Sequence, residues 1–425
     1  MKAYILKTKR RITPFNRTAA RVYSPFVNFS SLLKEELSLA RLQIRDVSSI
    51  SEIDKSEPSL LIPDYVFVTS PLIRKFLFLC KNSPNRLQRL SVIKSKLTDY
   101  YTSLMDIDVI DSAQDSLLSF DIFYLPKGFV MEGAESIDVQ MKRLGADSIN
   151  IKVSQNFGIR LERVSNVRGS VFFEEFPITD EIVGHQRFWF HSLLMNVLYL
   201  NTFRERILSG EFSFGFLRGF KFLNEGNIKN SIIGSNVWLH PTAVVENSLI
   251  ADNVKIGARV VIRDSVIMKD CNIGDSNIIR YSLFGERVVS LSNSLFRCSV
   301  ISPGSTVSNL GFCYSMLGEG SFLTTAVIFL YEGIDSTIKI KKGDEELETN
   351  RYFLGSASGE LSVLGTRAIV SPGMEIPSET IIVLRPEEGV MKIPHLIEGE
   401  YYIWDNATIK RFDEIFTGFD KNDFI

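Results

Sequence analysis

Few residues of this sequence have the type and spacing that could support chemistry. Histidine is the side chain most often used as a general base, and the chain has four, at His185, His191, His240 and His395. His240 follows an aliphatic residue in Leu239-His-Pro-Thr-Ala, so we expect its side chain to point outward. His185 and His191 are six positions apart in a helical stretch, whereas residues three or four apart share a helix face. That spacing favours packing roles for both.

One acidic residue closes a short apolar run. The run is Ser59-Leu-Leu-Ile-Pro, it ends at Asp64, and Tyr65-Val-Phe-Val-Thr follows it. From Pro71 to Cys80 the pattern is that of an apolar helix. We therefore predict a strand, a carboxylate at its end and a covering helix.

The stretch that must position His240 repeats itself. Its serines at Ser248, Ser265 and Ser282 are 17 residues apart, and each lies in a similar segment such as Ile262-Arg-Asp-Ser-Val-Ile. Related segments end at Ser231 and Ser299. A fixed interval of this kind is the signature of a repeat architecture.

Within each period an aliphatic residue recurs every five or six positions. The recurring residues are Ile233, Leu239, Val245, Ile250, Ile256, Ile262, Ile267, Ile273 and Ile279. A helix needs apolar spacings of three and four, and a half-buried strand needs alternation, so neither template fits. Three short strands per turn do fit, with one aliphatic side chain of each strand inside and the turns stacked at roughly 4.8 Å.

Several of these segments carry a resemblance. Ile233-Gly-Ser-Asn-Val, Leu239-His-Pro-Thr-Ala-Val and Ile256-Gly-Ala-Arg-Val resemble the hexapeptide repeat of left-handed parallel β-helix proteins. Those proteins include bacterial acyltransferases and the C-terminal domains of sugar-nucleotide pyrophosphorylases. We predict an all-β left-handed parallel β-helix over residues 216–398. The repeat is a core-packing pattern, so it indicates a fold and not an activity.

The other segments complete the domain plan. Residues 1–178 mix helical and strand patterns, with strands predicted at 121–125, 148–153, 158–164 and 169–176, and are predicted to form an α/β domain. A helical pattern closed by Gly210 predicts a linker helix within residues 179–215. A polar insert at 337–352 is predicted to be a protruding hairpin or loop. Residues 399–425 are predicted to form a tail, with a short helix at 413–419.

The composition argues against several classes of protein. Acidic and basic residues number 50 and 48, for a net charge of −2, so nothing indicates a nucleic-acid surface. No stretch is long and apolar enough for a membrane span, and the N-terminus lacks the apolar core of a signal peptide. The four cysteines form no CxxC pair, which argues against a metal knuckle or a disulfide framework. We therefore expect a cytoplasmic protein.

The order of the domains carries a second resemblance. An α/β domain, a long linker helix and hexapeptide coils together resemble the sugar-1-phosphate nucleotidyltransferases. In that family a Gly-rich loop wraps the triphosphate, and an Asp at the end of a central strand holds Mg²⁺. Asp64 matches the position type of that Asp, so the resemblance implies a Mg²⁺ site there.

The phosphate loop departs from the family pattern. Residues 12–26 contain no glycine, and only Arg17 and Arg21 among them could approach a phosphate. Without glycines the usual cradle for a triphosphate cannot form in the usual way. We therefore expect a degenerate nucleotidyltransferase-like domain that binds a nucleotide or sugar phosphate weakly, or no longer binds one.

Three hypotheses on function stay open at this point. In the first, the protein transfers a nucleotidyl group to a sugar phosphate with Mg²⁺ at Asp64, in sugar-nucleotide or cell-envelope polysaccharide metabolism. In the second, His240 is the general base of acyl transfer from coenzyme A, as in related hexapeptide acyltransferases. In the third, the protein is a non-catalytic binding or assembly subunit, and edges such as Trp238 and Phe296 serve homo-oligomerisation through the β-helix.

Overall fold

The structure is a computed structural model. It describes residues 1–24, 28–111, 115–129, 145–154, 156–164, 171–208, 219–333, 336–383, 402–405 and 408–411. His395 and the helix predicted at 413–419 lie outside the described residues.

A mixed sheet forms the centre of the N-terminal region. The strands before the coils are β1 (Lys2–Leu6), β2 (Arg11–Ile12), β3 (Arg17–Thr18), β4 (Gln43–Val47), β5 (Ser59–Pro63), β6 (Val66–Val68), β7 (Gln88–Ile93), β8 (Asp108–Asp111), β9 (Ser116–Leu125), β10 (Asp147–Ile151), β11 (Asn156–Val164), β12 (Val171–Ile178) and β13 (Val183–His185). Seven of them form one sheet in the order β10-β7-β9-β5-β1-β4, with β8 on β9. β1 is parallel to both β4 and β5, whereas β9 is antiparallel to β5 and β7. The strands predicted at 121–125, 148–153, 158–164 and 169–176 overlap β9, β10, β11 and β12, with residues 169–170 outside the described residues.

Helices cover this sheet. They are α1 (Phe29–Leu39), α2 (Ser70–Cys80), α3 (Lys96–Thr102) and a long helix that we call the bridging helix (Trp189–Leu208), with 3-10 turns at Ala19–Arg21 and Ile50–Glu52. Every residue of β5 is buried, as expected for a central strand covered on both faces. In the described part of the chain, no helix is long and apolar enough to cross a membrane.

The bridging helix starts later than the helix predicted within 179–215. Residues before Trp189 form strand β13, which pairs antiparallel with β6 and is therefore not helical. The Thr69 hydroxyl also donates to the Asp180 carbonyl at 2.6 Å. Contacts with residues far away in the sequence thus override the local helical pattern.

From residue 221 onward the chain forms short strands. They are β14 (Lys221–Glu225), β15 (Ile228–Ile233), β16 (Trp238–Leu239), β17 (Val244–Glu246), β18 (Leu249–Ile250), β19 (Lys255–Ile256), β20 (Val261–Arg263), β21 (Val266–Ile267), β22 (Asn272–Ile273), β23 (Ile278–Arg280), β24 (Leu283–Phe284), β25 (Val289–Ser290), β26 (Leu295–Arg297), β27 (Val300–Ile301), β28 (Thr306–Cys313), β29 (Met316–Leu317), β30 (Phe322–Phe329), β31 (Lys339–Lys342), β32 (Glu345–Glu348), β33 (Ala357–Ser358), β34 (Val363–Leu364), β35 (Ile369–Val370), β36 (Glu375–Ile376), β37 (Ile381–Ile382), β38 (Tyr402–Asp405) and β39 (Thr408–Arg411). β38 and β39 form a separate hairpin.

The strands from β14 to β30 and from β33 to β37 form one sheet of 22 strands that winds into a left-handed parallel β-helix. β14 is antiparallel to β15, and the strands that follow pair in parallel with their counterparts one coil further on. Val245 lies beside Ile262, which lies beside Ile279, so the 17-residue interval is the length of a coil. The Ser265 N–H donates to Ser248 Oγ at 3.2 Å, which links neighbouring coils at a corner. The predicted fold class is confirmed.

The two aromatic residues predicted at exposed edges differ from each other. Trp238 is 55% exposed. Phe296 is fully buried, and its ring centroid lies 4.8 Å from that of Phe284 inside the coils. The prediction for Phe296 is wrong, because the middle residue of β26 points inward while its two neighbours are half-exposed.

The insert predicted at 337–352 contains the antiparallel hairpin of β31 and β32. Ile338 and Ile340 at its base are buried. Arg351 Nη1 donates to the Tyr100 carbonyl at 2.6 Å, and the Arg351 guanidinium lies 4.4 Å from the centroid of the Tyr100 ring. The insert therefore packs on the N-terminal region of the same chain.

One face of the β-helix is covered by the N-terminal region. Its outward side chains join the core that contains the bridging helix, and they are Leu249, Val266, Leu283, Val300 and Met316. The next residue of each strand points into the coils and belongs to a separate core, formed in part by Ile250, Ile267, Phe284, Ile301 and Leu317. The α/β region and the coils thus share a continuous apolar contact.

Candidate functional site

The strand order places a topological switch point at the carboxyl end of β1. The chain leaves β1 toward β4 on one side of the sheet and then returns to β5 on the other side. Ligands of open α/β sheets bind at such a switch point, outside the carboxyl ends of the strands. The residues that follow β1 are 7–10, and Asp64 directly follows β5. The predicted metal-binding position therefore lies at the edge of the sheet where a ligand is expected.

Asp64 holds the segment that follows β1. Its Oδ1 accepts hydrogen bonds from the Thr8 N–H at 3.0 Å and from Thr8 Oγ1 at 2.6 Å. The Asp64 N–H donates to the Leu6 carbonyl at 2.9 Å. Burial raises the pKa of the Asp64 carboxyl, and the hydrogen bonds from Thr8 partly oppose that shift. One oxygen of this carboxylate is thus engaged within the protein.

Arg10 lies over an aromatic ring beside Asp64. Its guanidinium carbon is 3.7 Å from the centroid of the Tyr65 ring, a distance typical of a cation–π contact. Arg10 Nη2 lies 3.6 Å from Asp106 Oδ2, and the Tyr65 hydroxyl donates to Asp121 Oδ2 at 2.7 Å. The side chains next to Asp64 are therefore bound to one another.

Arg89 continues this network along the same edge. Arg89 Nη2 lies 2.8 Å from Asp121 Oδ1, and its Nη1 is paired with Asp108. Its Nε also donates to the Phe120 carbonyl at 2.9 Å. A guanidinium with this many acceptors holds its carboxylates in a fixed geometry.

His185 and His191 are both buried, but His185 lies on β13 and not on the helix that the spacing argument assumed. The Asp121 N–H donates to His185 Nε2 at 3.0 Å, and His185 Nδ1 is 2.7 Å from the Asp106 carbonyl, which places the proton on Nδ1. Burial lowers the pKa of His185. His191 accepts from the Phe188 N–H at 3.1 Å beside the start of the bridging helix, and burial lowers its pKa to about 3. Neither imidazole is placed to exchange a proton with a ligand.

Arg17 contacts the coils. Its guanidinium forms ion pairs with Glu319 and Glu360, which lie on two neighbouring coils. Burial is the main cause that raises the pKa of Glu360, and the Arg17 charge opposes it. Arg21, the other predicted phosphate contact, is exposed at the end of a 3-10 turn. The structure therefore brings Arg17 to the β-helix and does not bring the two arginines together around a ligand site.

His240 lies on the first coils, where its ring is half-exposed. Its Nδ1 accepts from the Thr242 N–H at 3.2 Å and lies 2.9 Å from Thr242 Oγ1. In the neutral ring the proton then resides on Nε2. Nε2, the nitrogen that does not contact Thr242, therefore carries the proton. A general base needs an unprotonated nitrogen at that position. Acyl transfer by His240 stays a prediction without support from this geometry.

The Mg²⁺ site implied at Asp64 can be compared with the side chains around it. Mg²⁺ in proteins is bound by one or two carboxylates together with waters and substrate phosphates. Asp64 offers one carboxylate, of which Oδ1 already accepts two hydrogen bonds. Within the described ranges, no group of three acidic, His or Cys side chains could hold a metal. Asp64 therefore offers one carboxylate oxygen that accepts no hydrogen bond from Thr8, and Mg²⁺ at Asp64 stays a prediction.

Sequence reasoning missed the polar network beside Asp64. Asp121 opens a predicted strand, and Tyr65 directly follows Asp64, so both could have been assigned to this edge of the sheet. Arg89 and Arg10 carried no local signal. Their partners lie between 19 and 96 residues away along the sequence.

A cavity of about 140 Å³ lies at the other end of the sheet. It is lined by Ser49, Ser59 and Phe129, among others, and Ser59 is the first residue of β5. Asp64 follows the last residue of that strand. The cavity is therefore separate from the switch point.

A comparison with protein families agrees with the fold. Residues 227–313 match the family described as "GMPPB C-terminal domain", which is the hexapeptide-repeat β-helix region of sugar nucleotidyltransferases. The match covers about a fifth of the chain and lies within the coils. No curated protein matches the chain. An α/β region followed by this β-helix is thus similar in layout to the sugar nucleotidyltransferases, and the matched residues lie in the β-helix alone.

Proposed function

We propose that the protein is a nucleotidyltransferase-like binding protein that keeps the architecture of these enzymes and does not transfer nucleotidyl groups. The observation that carries the proposal is the position of Arg17, which is paired with Glu319 and Glu360 of the coils. The segment after β1 is thereby docked on the β-helix and is not free to wrap a triphosphate. The family resemblance favours a role in sugar-nucleotide or cell-envelope polysaccharide metabolism.

The docking contact extends beyond Arg17. Ser378 Oγ donates to the Pro14 carbonyl at 3.0 Å. The Thr13 side chain hydrogen-bonds to Glu375, a carboxyl whose pKa is raised by burial. Opening the segment toward a ligand would break all of these contacts together, so the docked state is held by several interactions at once.

The side chains at the switch point support the same proposal. Catalysis of nucleotidyl transfer needs donors and a metal aimed at the phosphates. Asp64 instead accepts from Thr8, and Arg10 lies on Tyr65. Arg89 is saturated by acceptors of the protein. Most of the groups that could stabilise a transition state are thus engaged within the fold, and Arg10 Nη1 is a buried donor without an acceptor among the described residues.

The ligand that we propose is a nucleotide or a sugar phosphate, bound without catalysis. Lys9, Arg11 and Arg21 are exposed on the segment between β1 and α1. Exposed cations attract a phosphate through solvent, and salt weakens that attraction. We therefore expect weak, salt-sensitive binding at this segment.

A thermal-shift screen tests this proposal. The purified full-length protein is heated with each NTP, with nucleotide sugars and with sugar phosphates, with and without Mg²⁺. A ligand at a hundred times its Kd stabilises a protein by about 2.7 kcal/mol. We expect a shift that does not need Mg²⁺, that Arg21→Gln reduces and that Arg45→Gln, at an exposed arginine of β4, leaves unchanged.

Two results would contradict the proposal. A shift that requires Mg²⁺ and disappears in Asp64→Asn would indicate a working nucleotidyltransferase site. A shift with acetyl-coenzyme A that disappears in His240→Ala would move the function to the coils. Self-association through the β-helix also stays a prediction, and light scattering of the purified protein tests it.

A further inference from the structure

Three arginines form a column on the outside of the β-helix. Arg263 lies beside Arg280, and Arg280 lies beside Arg297, each one coil further on. We call these residues the arginine column. Because neighbouring coils are roughly 4.8 Å apart, the column repeats a guanidinium group at about that interval. All three side chains are half-buried.

The charge of the column is only partly balanced. Glu246 precedes it in the same register and lies 2.8 Å from Arg263 Nε and 4.0 Å from Lys229 Nζ. Arg280 and Arg297 form no ion pair within the part of the chain that the structure describes. Asp264, which directly follows Arg263 in the sequence, hydrogen-bonds to Tyr281. Arg280 and Arg297 therefore lack an ion-pair partner of their own among the described residues.

The donors of the column are also unsatisfied. The Nε atoms of Arg263, Arg280 and Arg297 are shielded from solvent and have no hydrogen-bond acceptor among the described residues. Arg263 Nε is close enough to Glu246 for an ion pair, but the angle is not that of a hydrogen bond. Buried donors without acceptors are rare and call for an explanation. Like charges one coil apart repel as well, so an anion would relieve both costs.

We propose that the arginine column binds a phosphate chain, such as the diphosphate or triphosphate of a nucleotide. Arg is suited to phosphate because its planar fork donates two parallel hydrogen bonds. An anion with one charged group would contact one or two of the guanidinium groups. In a chain of phosphates the negative charges are spread along the molecule. Such an anion can contact the guanidinium groups of successive coils at the same time.

This site differs from the one proposed at the switch point. The column lies on β20, β23 and β26 of the coils, and it contains no residue between β1 and α1. It also needs no divalent cation. The two proposals can therefore fail separately.

Isothermal titration calorimetry of the full-length protein tests the column. Inorganic phosphate, pyrophosphate and tripolyphosphate are titrated in EDTA, which removes divalent cations. We expect the affinity to rise about tenfold or more from phosphate to tripolyphosphate, because each further guanidinium adds charge-assisted hydrogen bonds. Arg280→Gln should lower the tripolyphosphate affinity about tenfold, and Arg280→Lys should restore part of the loss.

Arg259→Gln is the matched control. Arg259 is an exposed arginine at another corner of the same coils, and its Nε donates to Ser276 Oγ at 3.2 Å. The inference is overturned if tripolyphosphate does not bind, if the three anions bind equally, or if Arg259→Gln weakens binding as much as Arg280→Gln. Circular dichroism confirms that each variant is folded, and Arg297→Gln replaces Arg280→Gln should the latter unfold.

Discussion

The buried ion pair at the bridging helix supports a prediction on stability. Glu36 of α1 is fully buried, and Arg206 is 5% exposed. Arg206 Nη1 and Nη2 donate to the two Glu36 oxygens at 2.9 and 3.0 Å. The Ser70 N–H and the Tyr199 hydroxyl complete the carboxylate at 2.6 and 2.8 Å. This cluster joins α1, α2 and the bridging helix.

We predict that Arg206→Met destabilises the protein by about 3–5 kcal/mol, the usual effect of leaving a buried charge without its partner. The Glu36 carboxylate would keep its two other donors, but it would lose both charge-assisted bonds. Urea unfolding measures the loss. Urea is preferable to guanidinium chloride here, because the latter is a salt and screens charges.

Arg86→Met is the matched control. Arg86 Nη1 lies 3.1 Å from Asp147 Oδ2, and the two side chains are 72% and 55% exposed. An exposed pair contributes about 0–1 kcal/mol. A loss below about 1 kcal/mol for Arg206→Met, or one equal to that of Arg86→Met, would refute the reasoning.

Three further predictions follow from the structure. Asp64→Asn should change the free energy of unfolding by less than about 1 kcal/mol, because an amide oxygen can still accept from Thr8. Asp64→Ala should lower it by about 1–3 kcal/mol. Equal losses of the two variants in urea unfolding would contradict this prediction. The pKa of His191 is about 3 in the folded protein and about 6.5 in the unfolded chain. Between these values only the unfolded chain binds the proton, so acid favours unfolding. The contribution of His191 to stability therefore falls by about 1.4 kcal/mol per pH unit below pH 6.5. His191→Gln should flatten that slope between pH 6.5 and 5, and an unchanged slope would exclude it as the cause. Phe284→Ala should cost about 3–5 kcal/mol, and Ile278→Ala, at a residue 38% exposed, much less; similar losses would show that Phe284 does not pack as described.

The coils could be predicted because every turn poses the same packing problem. The residue beside Val245 on the next coil must fill the same space, so Ile262 and Ile279 repeat its type at a fixed interval. The sequence pattern therefore contains the register directly. Phe296 was misassigned even though it lies 17 residues after Ile279, so the repeat places it in the same inward column as Val245, Ile262 and Ile279.

The N-terminal region was predictable only in its local elements. The position of Asp64 directly after β5 was predicted correctly. This was possible because a short, mostly apolar run followed by a carboxylate is visible in the local sequence. The start of the bridging helix was not predictable, since β13 is fixed by pairing with β6. That pairing joins segments more than a hundred residues apart.

The use of Arg17 could not be predicted from the sequence. Its partners Glu319 and Glu360 lie more than three hundred residues further along the chain. With 48 basic and 50 acidic residues, charge alone does not select a pair. Only the packing of the α/β region against one face of the β-helix brings these groups together. The same holds for Glu36 and Arg206.

The central claim is that a docked segment stands where nucleotidyltransferases wrap the triphosphate. The most direct test is pyrophosphate release from each NTP with a panel of sugar 1-phosphates and Mg²⁺, in the wild-type protein and in Asp64→Asn. We predict that wild-type release does not exceed that of Asp64→Asn or of a reaction without protein. Release by the wild-type protein that needs Mg²⁺, depends on the sugar phosphate and is lost in Asp64→Asn would contradict the account.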